Sequence, residues 1–352
     1  MKIANTEALK LPEYAAFDVL RFCLAAAVSL SHSGIISWEN AGNLAVQVFF
    51  ALSGWLIGGI LYETRGSELC RFYFNRSTRV WIPYLFTVAA IYLVSFLHES
   101  RSDRWFEFLA YDLTFTHNWF TLWPDPQLAL TQMPLHGTGN HFWSLAVEEQ
   151  FYLAAPLIIT LLPFGRKAWV WIVIAAAAYL SGTQYASISF GVLAAVLSRQ
   201  YSHAGKYATF ALLLAASSAV AAMAIPSPDM YLYAAPFFAI CVVLLCARPV
   251  RRNAVTKWLG GVSFPLYLNA WMGTFVFNLV AKLAGIHLGP FTKAAEFAFV
   301  ITAAAVTYSM VDRPVMKYRD KWYTPRLGWT LGMIGYCLVT AGFIYGIRRA
   351  YA

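Results

Sequence analysis

Apolar runs of about 17 to 25 residues alternate with short polar or Pro/Gly-containing breaks along almost the whole chain, the pattern of membrane-crossing helices. The runs predict eleven spans, at 16–34, 44–62, 79–97, 143–163, 167–181, 184–199, 206–225, 230–247, 261–284, 292–312 and 327–346. The fifth and sixth are short. No polar stretch is long enough to hold a soluble domain, so the expected fold is a single all-α domain over residues 1–352, a polytopic transmembrane helical bundle of about 10–11 spans.

Composition agrees with the pattern. Hydrophobic residues make up 59% of the chain and charged ones only 12%, against about 25% charged in soluble proteins. The formal charge of +9 invites a nucleic-acid partner, but the basic residues are scattered through short loops, as membrane topology requires, and no nucleic acid is expected. With the N-terminus in the cytoplasm, nineteen Lys and Arg fall on the inner side and six on the outer, with Arg21 inside the membrane. The polar MKIANTEALKLPEY leads directly into a full-length span, so the first helix is expected to act as its own signal anchor. Cys23, Cys70, Cys241, Cys246 and Cys337 lie in spans or inner loops and read as small buried residues, with no disulfide framework.

Charge inside the spans carries the functional signal. The first span, AAFDVLRFCLAAAVSLSHSG, holds Asp18, Arg21 and His32. Ionisable groups at that depth usually face a protein-lined path. Arg21 and His32 are separated by three helical turns plus about 20°, so they share one face roughly 16 Å apart along the axis. Asp18, one turn before Arg21, is expected to pair with it. The second span carries Ser53-Gly54, small residues that let helices approach closely. After it, RFYFNRSTRVW clusters Arg71, Arg76 and Arg79 on the inner side, either as a positive-inside cap or as a phosphate clamp of guanidinium forks.

The fourth span opens with NHFWSLAVEEQFYL, placing His141 and Trp143 at the outer interface and Glu148 and Glu149 one to two turns inside. Each carboxylate costs about 3 kcal/mol at that depth on the lenient insertion scale, so neither is expected to face lipid. They point about 100° apart and should serve different partners. Between these spans, His98 to Asn140 forms a long outer segment, with an amphipathic WFEFLAYDLTFTHNWF suited to lying along the membrane surface.

Taken in order, these motifs resemble the acyltransferase-3 family of integral membrane acyltransferases. Arg21, ten residues and His32 match its first-span spacing; VFFALSGWLIGGIL resembles its second-span signature; Arg76-Ser-Thr-Arg79 resembles its cytoplasmic Arg-x-x-Arg. HFWSLAVEEQFYLAAPL is similar to its most specific stretch, and LGGVSFPLYLNAW and YSMVDRPVMKYRD resemble its last core motifs. The likeness covers a core at 14–320 and leaves 327–346 as an additional C-terminal span. Three departures stand out: Ala270 replaces the usual His before Trp271, Asp312 stands where Glu is common, and Val19 and Phe22 replace glycines.

The resemblance implies transfer of an acetyl or other short acyl group from cytoplasmic acyl-CoA, with no metal, to a hydroxyl of an extracytoplasmic glycan or lipid-linked sugar. Lipopolysaccharide O-antigen or another cell-surface polysaccharide is the expected acceptor, and the bacterial inner membrane, with its lipid, the expected location. In that scheme Arg76 and Arg79 hold the phosphates, and the pantetheine arm passes Arg21 so that the thioester ends near His32. His32 then acts as general base, and Glu148 or Glu149 orients its ring. Ser53, Trp143, Ser144 and Asp18 support the site. A variant makes His32 the nucleophile of an acyl-imidazole; direct transfer needs fewer steps. With no further domain after RRAYA, acceptor handling is expected from the outer loops. The rivals are a transporter of a lipid-linked sugar or small anion, which the lack of an internal repeat disfavours, and a sensor with no turnover.

Overall fold

The computed structural model describes residues 13–98, 102, 104–121, 131–201, 208–225, 227–285 and 289–351. Its thirteen main helices are α1 (Ala15–His32), α2 (Ala41–Glu63), α3 (Leu69–His98), α4 (Trp105–Leu113), α5 (Phe142–Pro156), α6 (Ala168–Leu180), α7 (Ala186–Gln200), α8 (Ala208–Met223), α9 (Pro228–Cys246), α10 (Ala254–Leu283), α11 (Thr292–Thr307), α12 (Arg313–Trp322) and α13 (Pro325–Ala350). A π-helical turn, Leu157–Leu161, extends α5, and another, Tyr308–Asp312, joins α11 to α12. Each of the eleven predicted spans is helical over most of its described residues.

Eight of these segments are long and apolar enough to cross a membrane: α1, α2, α3, α5 with its extension, α9, α10, α11 through α12, and α13. The chain is thus an all-α, multi-pass membrane protein. With 13, 15 and 16 residues, α6, α7 and α8 reach only about 20–24 Å at about 1.5 Å per residue, short of the roughly 30 Å hydrocarbon layer.

Two helices begin earlier than their hydropathy predicts. The arginine-rich stretch read as an inner loop is the first third of α3, because Leu69, Phe72, Tyr73 and Phe74 bury themselves in the bundle and carry Arg76 and Arg79 onto the helix. Likewise α10 starts at Ala254, where the Asn253 side chain accepts from the Thr256 amide at 2.8 Å and caps the helix.

At the centre stands α2, the most buried of the full-length spans together with α5. Its contact with α7 is backbone on backbone: a Cβ on Gly54 would lie 2.0 Å from the Ile188 carbonyl oxygen, and one on Gly191 would lie 2.1 Å from that of Ala51. The small-residue reading of Gly54 therefore holds, since no other side chain fits the α2–α7 seam. On the opposite flank α1 packs against α10. Short backbone pairing joins their starts, with Ala15 N donating to Val250 O and Val250 N donating to Glu13 O.

The long segment before α5 packs inward through α4. Trp105, Glu107, Phe108, Tyr111 and Asp112 are buried, and only the opposite face, including Phe106, is exposed. Glu107 ties the helix to the end of α13, accepting from Arg104, Tyr111 and Arg349. The helix stops at Thr114, and Phe115 follows with a left-handed backbone, φ 54°. Gln150 of α5 holds that strained residue by donating to its carbonyl at 2.7 Å. Much of the Pro/Gly stretch that follows, at 122–130, lies outside the described residues.

Candidate active site

The two carboxylates of α5 diverge, as neighbours on a helix must. Glu148 turns toward α2 and accepts from Ser53 Oγ at 2.5 Å and Tyr152 Oη at 2.9 Å. Glu149 turns toward α3 and accepts from the indole of Trp81 at 2.8 Å, leaving its second oxygen buried without a partner. Neither carboxylate bonds to His32. The expected carboxylate–imidazole pair is absent among the described residues: Glu148 is engaged by Ser53 of α2 and by Tyr152 one turn along α5 itself, and one oxygen of Glu149 by Trp81 of α3.

Two cavities meet at Arg21, Arg79 and Phe264. The inner one, about 100 Å³, holds Arg21, Arg76, Arg79 and Glu148 on otherwise largely apolar walls formed by residues such as Val46, Phe50, Leu56 and Phe264. Arg76 also lies over the Tyr152 ring, 5.6 Å from its centroid. The second cavity, about 240 Å³, lies toward the N-terminal end of α1 and is strongly polar, with Arg21, Arg79, Arg252 and Lys257 facing Asp18 and Asp312. Arg21, Arg79 and Phe264 line both. Together they form a path with a cationic entrance and a narrower, greasier interior.

Asp18 belongs chiefly to Arg252. That guanidinium grips both carboxylate oxygens, through Nε on one and Nη2 on the other at 2.9 Å, whereas Arg21 stands 3.9 Å away. The expected Asp18–Arg21 pair is thus the weaker half of a triad. Gly260 allows this closeness, since a Cβ there would lie 2.3 Å from Asp18 Oδ1. The sequence counts Arg252 among loop charges; its role needs the α1–α10 contact, which no local spacing announces.

His32 ends α1 exposed, outside the lining of both cavities. Its ring packs against Trp271 of α10, 5.1 Å between centroids. Four residues before Trp271, Tyr267 closes the inner cavity and shares a 2.5 Å hydrogen bond with Ser144 Oγ. The cavity therefore stops about 6 Å, one helical turn, short of the level of His32. A path ending beside His32 is what the resemblance implies; the Tyr267–Ser144 pair intervenes.

His141 is buried rather than interfacial. Its Nδ1 lies 3.1 Å from Thr138 O and its Nε2 3.1 Å from Leu268 O, and its ring sits edge-on to Tyr267. Burial disfavours a charged ring there. A neutral ring donates to one carbonyl only, so His141 is a strut between the turn before α5 and α10. Another buried pair, Asp112 with His117 Nδ1 at 2.5 Å, is completed by Tyr92 donating to Asp112 at 2.7 Å and anchors the segment after α4.

The remaining predicted residues divide by cavity. Ser53 and Ser144 line the inner one, and Trp143 lines a third cavity at the His32 end. The five cysteines are unpaired. Among the described residues no group of three His, Cys, Asp or Glu converges as metal ligands do.

The family model described as "Acyltransferase domain" matches residues 14–348. The O-acetyltransferase OatA of Staphylococcus aureus is 31% identical over 135 residues, 36% of this chain and 21% of that protein. The peptidoglycan O-acetyltransferase OatA of Listeria monocytogenes is 28% identical over 200 residues, 49% of this chain and 30% of that protein. The chain thus spans a fifth to a third of the length of these relatives. No solved structure matches significantly.

Proposed function

The chain belongs to the acyltransferase family that this model describes, and on that premise we propose that it moves an acetyl or other short acyl group from acyl-CoA to a glycan hydroxyl across the bundle. The observation that carries the reading is the graded path between the N-terminal end of α1 and Tyr267, cationic first and, around Arg76 and Glu148, walled otherwise mostly by apolar side chains. Acyl-CoA has the same grading, with phosphates at one end and a slender pantetheine thioester at the other. Planar guanidiniums suit phosphate oxygens, and the apolar chamber suits the arm.

At the thioester the chain's groups divide the work. His32, neutral, accepts the proton of the acceptor hydroxyl as its oxygen attacks the carbonyl carbon, and the coenzyme A thiolate leaves. Glu148, fixed by Ser53 and Tyr152, balances the arginines that the donor enters among. The charge bias of the loops supports a cytoplasmic donor end and an extracytoplasmic acceptor end in a bacterial inner membrane. For the acceptor, relatives named for peptidoglycan favour an amino-sugar polymer; O-antigen and other surface polysaccharides share the hydroxyl chemistry.

The test is incorporation of labelled acetyl into cell-surface glycan, with and without the gene and with His32→Ala. The expected result is acetate on glycan that disappears with His32→Ala while the protein still inserts. Wild-type product from His32→Ala would remove its catalytic role, and no gene-dependent acetate would remove the function.

A further inference from the structure

The third cavity, about 300 Å³, opens at the His32 end of the bundle among the first turns of α2, α5 and α9 and the turn between α6 and α7. Asn43, Gln47, Trp143, Thr183, Gln184 and Tyr231 supply its polar and aromatic lining, beside the aliphatic Leu232 and Ala235. No residue lining it is charged, although the other two cavities each hold at least three cationic side chains. A crevice for lipid tails would be aliphatic, and a site for an acidic ligand would hold a cation. Amides, a hydroxyl and aromatic faces together suit a ligand that is polar, uncharged and ringed.

The hydrogen bonds already made there sharpen the fit. Tyr231 Oη donates to Asn43 Oδ1 at 2.8 Å, and Gln47 Nε2 reaches the same oxygen at 3.4 Å. Ser187 Oγ donates to Gln47 Oε1 at 2.5 Å. The carbonyl oxygens of both amides are thus occupied, while the Asn43 Nδ2 donors meet no acceptor among the described residues. What remains on that wall is donor capacity for hydroxyl or amide oxygens. The volume is at the lower end of the roughly 300–1,000 Å³ of small-ligand sites.

The position ties this crevice to the donor path. Trp143 lines the crevice and packs edge-to-face on Phe50, 5.8 Å between centroids, and Phe50 lines the inner arginine cavity. That aromatic pair forms part of the wall between them. We propose that this crevice seats a neutral sugar ring of the acceptor, an uncharged hexose or N-acetylhexosamine, and so selects acceptors without a carboxylate at that ring. The proposal rests on the acyl-transfer reading for its biological meaning, but its binding test does not.

The test is a titration of the full-length protein in nanodiscs, without acyl-CoA, against N,N′-diacetylchitobiose and against a uronic-acid disaccharide of equal size, read by saturation-transfer NMR and calorimetry. The neutral sugar is expected to bind saturably and the charged one more weakly. Tyr231→Phe and Asn43→Ala are expected to weaken the neutral sugar about three- to tenfold, the share of one or two neutral hydrogen bonds. Asn43→Gln, which keeps the amide, guards against a misfolded variant and should bind more tightly than Asn43→Ala. Failure of the neutral disaccharide to bind, equal binding by the variants, or preference for the charged sugar would overturn the site. With no acyl-CoA in the cell, a failure of acetyl transfer would sink the function above and leave this result standing.

Discussion

Replacing Asp18 with Asn tests the triad that frames the donor entrance. Asn keeps the shape but removes the charge shared by Arg252, which holds both oxygens, and Arg21 at 3.9 Å. The Asp18 side chain is 4% exposed, and those of Arg21 and Arg252 are 26% and 36% exposed. At an effective dielectric near 20 a unit pair at about 4 Å is worth about 4 kcal/mol. The exposure of Arg252 calls for a discount, and desolvation of the carboxylate is relieved, leaving a net loss of about 3 kcal/mol, at the low end for a broken buried pair. Asp18→Asn/Arg252→Met should recover about half, because it also removes the stranded guanidinium. Tryptophan fluorescence of the protein in detergent reads this as a fall in melting temperature of roughly 6 °C for the single variant, at about 2 °C per kcal/mol for a chain of this size. A single variant within about 1 °C of wild type, or a double variant no better than Asp18→Asn, would refute the coupling.

Arg76→Ala and Arg79→Ala should each weaken acyl-CoA binding about 10- to 100-fold while slowing the bound complex less, as charged hydrogen bonds to phosphate would; equal affinity by calorimetry would remove the clamp. Gly54→Ala puts a Cβ 2.0 Å from the Ile188 carbonyl, and should cost about 1–3 kcal/mol in thermal unfolding as α2 and α7 part. Trp81→Phe leaves buried Glu149 with no donor, a loss of about 2–3 kcal/mol that Glu149→Gln in the same chain should largely restore. Burial pushes the Glu107 carboxyl up, but hydrogen bonds from Arg104 and Tyr111 outweigh it and hold the group below its ordinary value. Its stabilisation is therefore present above about pH 4.3 and lost as pH falls through the lower folded value. Glu107→Gln should lower the melting temperature at pH 7 and converge with wild type near pH 3; a difference constant with pH would contradict this.

Helix-scale features were legible in the sequence because they depend on neighbours in the chain. Hydropathy alone places eleven of the thirteen main helices, and periodicity alone puts Glu148 and Glu149 on different partners. The misreadings arise where a partner comes from afar. Arg76 and Arg79 look like loop charges until the aromatic residues around them are seen to be buried, and Arg252 looks like one until Gly260 admits Asp18. Trp81 reaches Glu149 across 68 positions, and nothing about an indole near a proline-containing helix marks it as a carboxylate donor. The neutral crevice is assembled from the ends of several helices, so no contiguous motif records it.

The separation of His32 from the donor path also bears on the choice between the two chemical routes. An acyl-imidazole requires the His32 nitrogen to touch the thioester carbon, yet Tyr267 and Ser144 close the inner cavity a helical turn away. A general base has only to reach the hydroxyl proton, on the far side of the attacking oxygen from that carbon, so a sugar hydroxyl between Tyr267 and His32 spans part of the gap itself. The exposure of His32 favours the same order, because the acceptor approaches from the open end while the donor is enclosed. Direct transfer is then the route that needs the smaller rearrangement: an opening of the Tyr267–Ser144 contact, with Trp271 holding the imidazole in place.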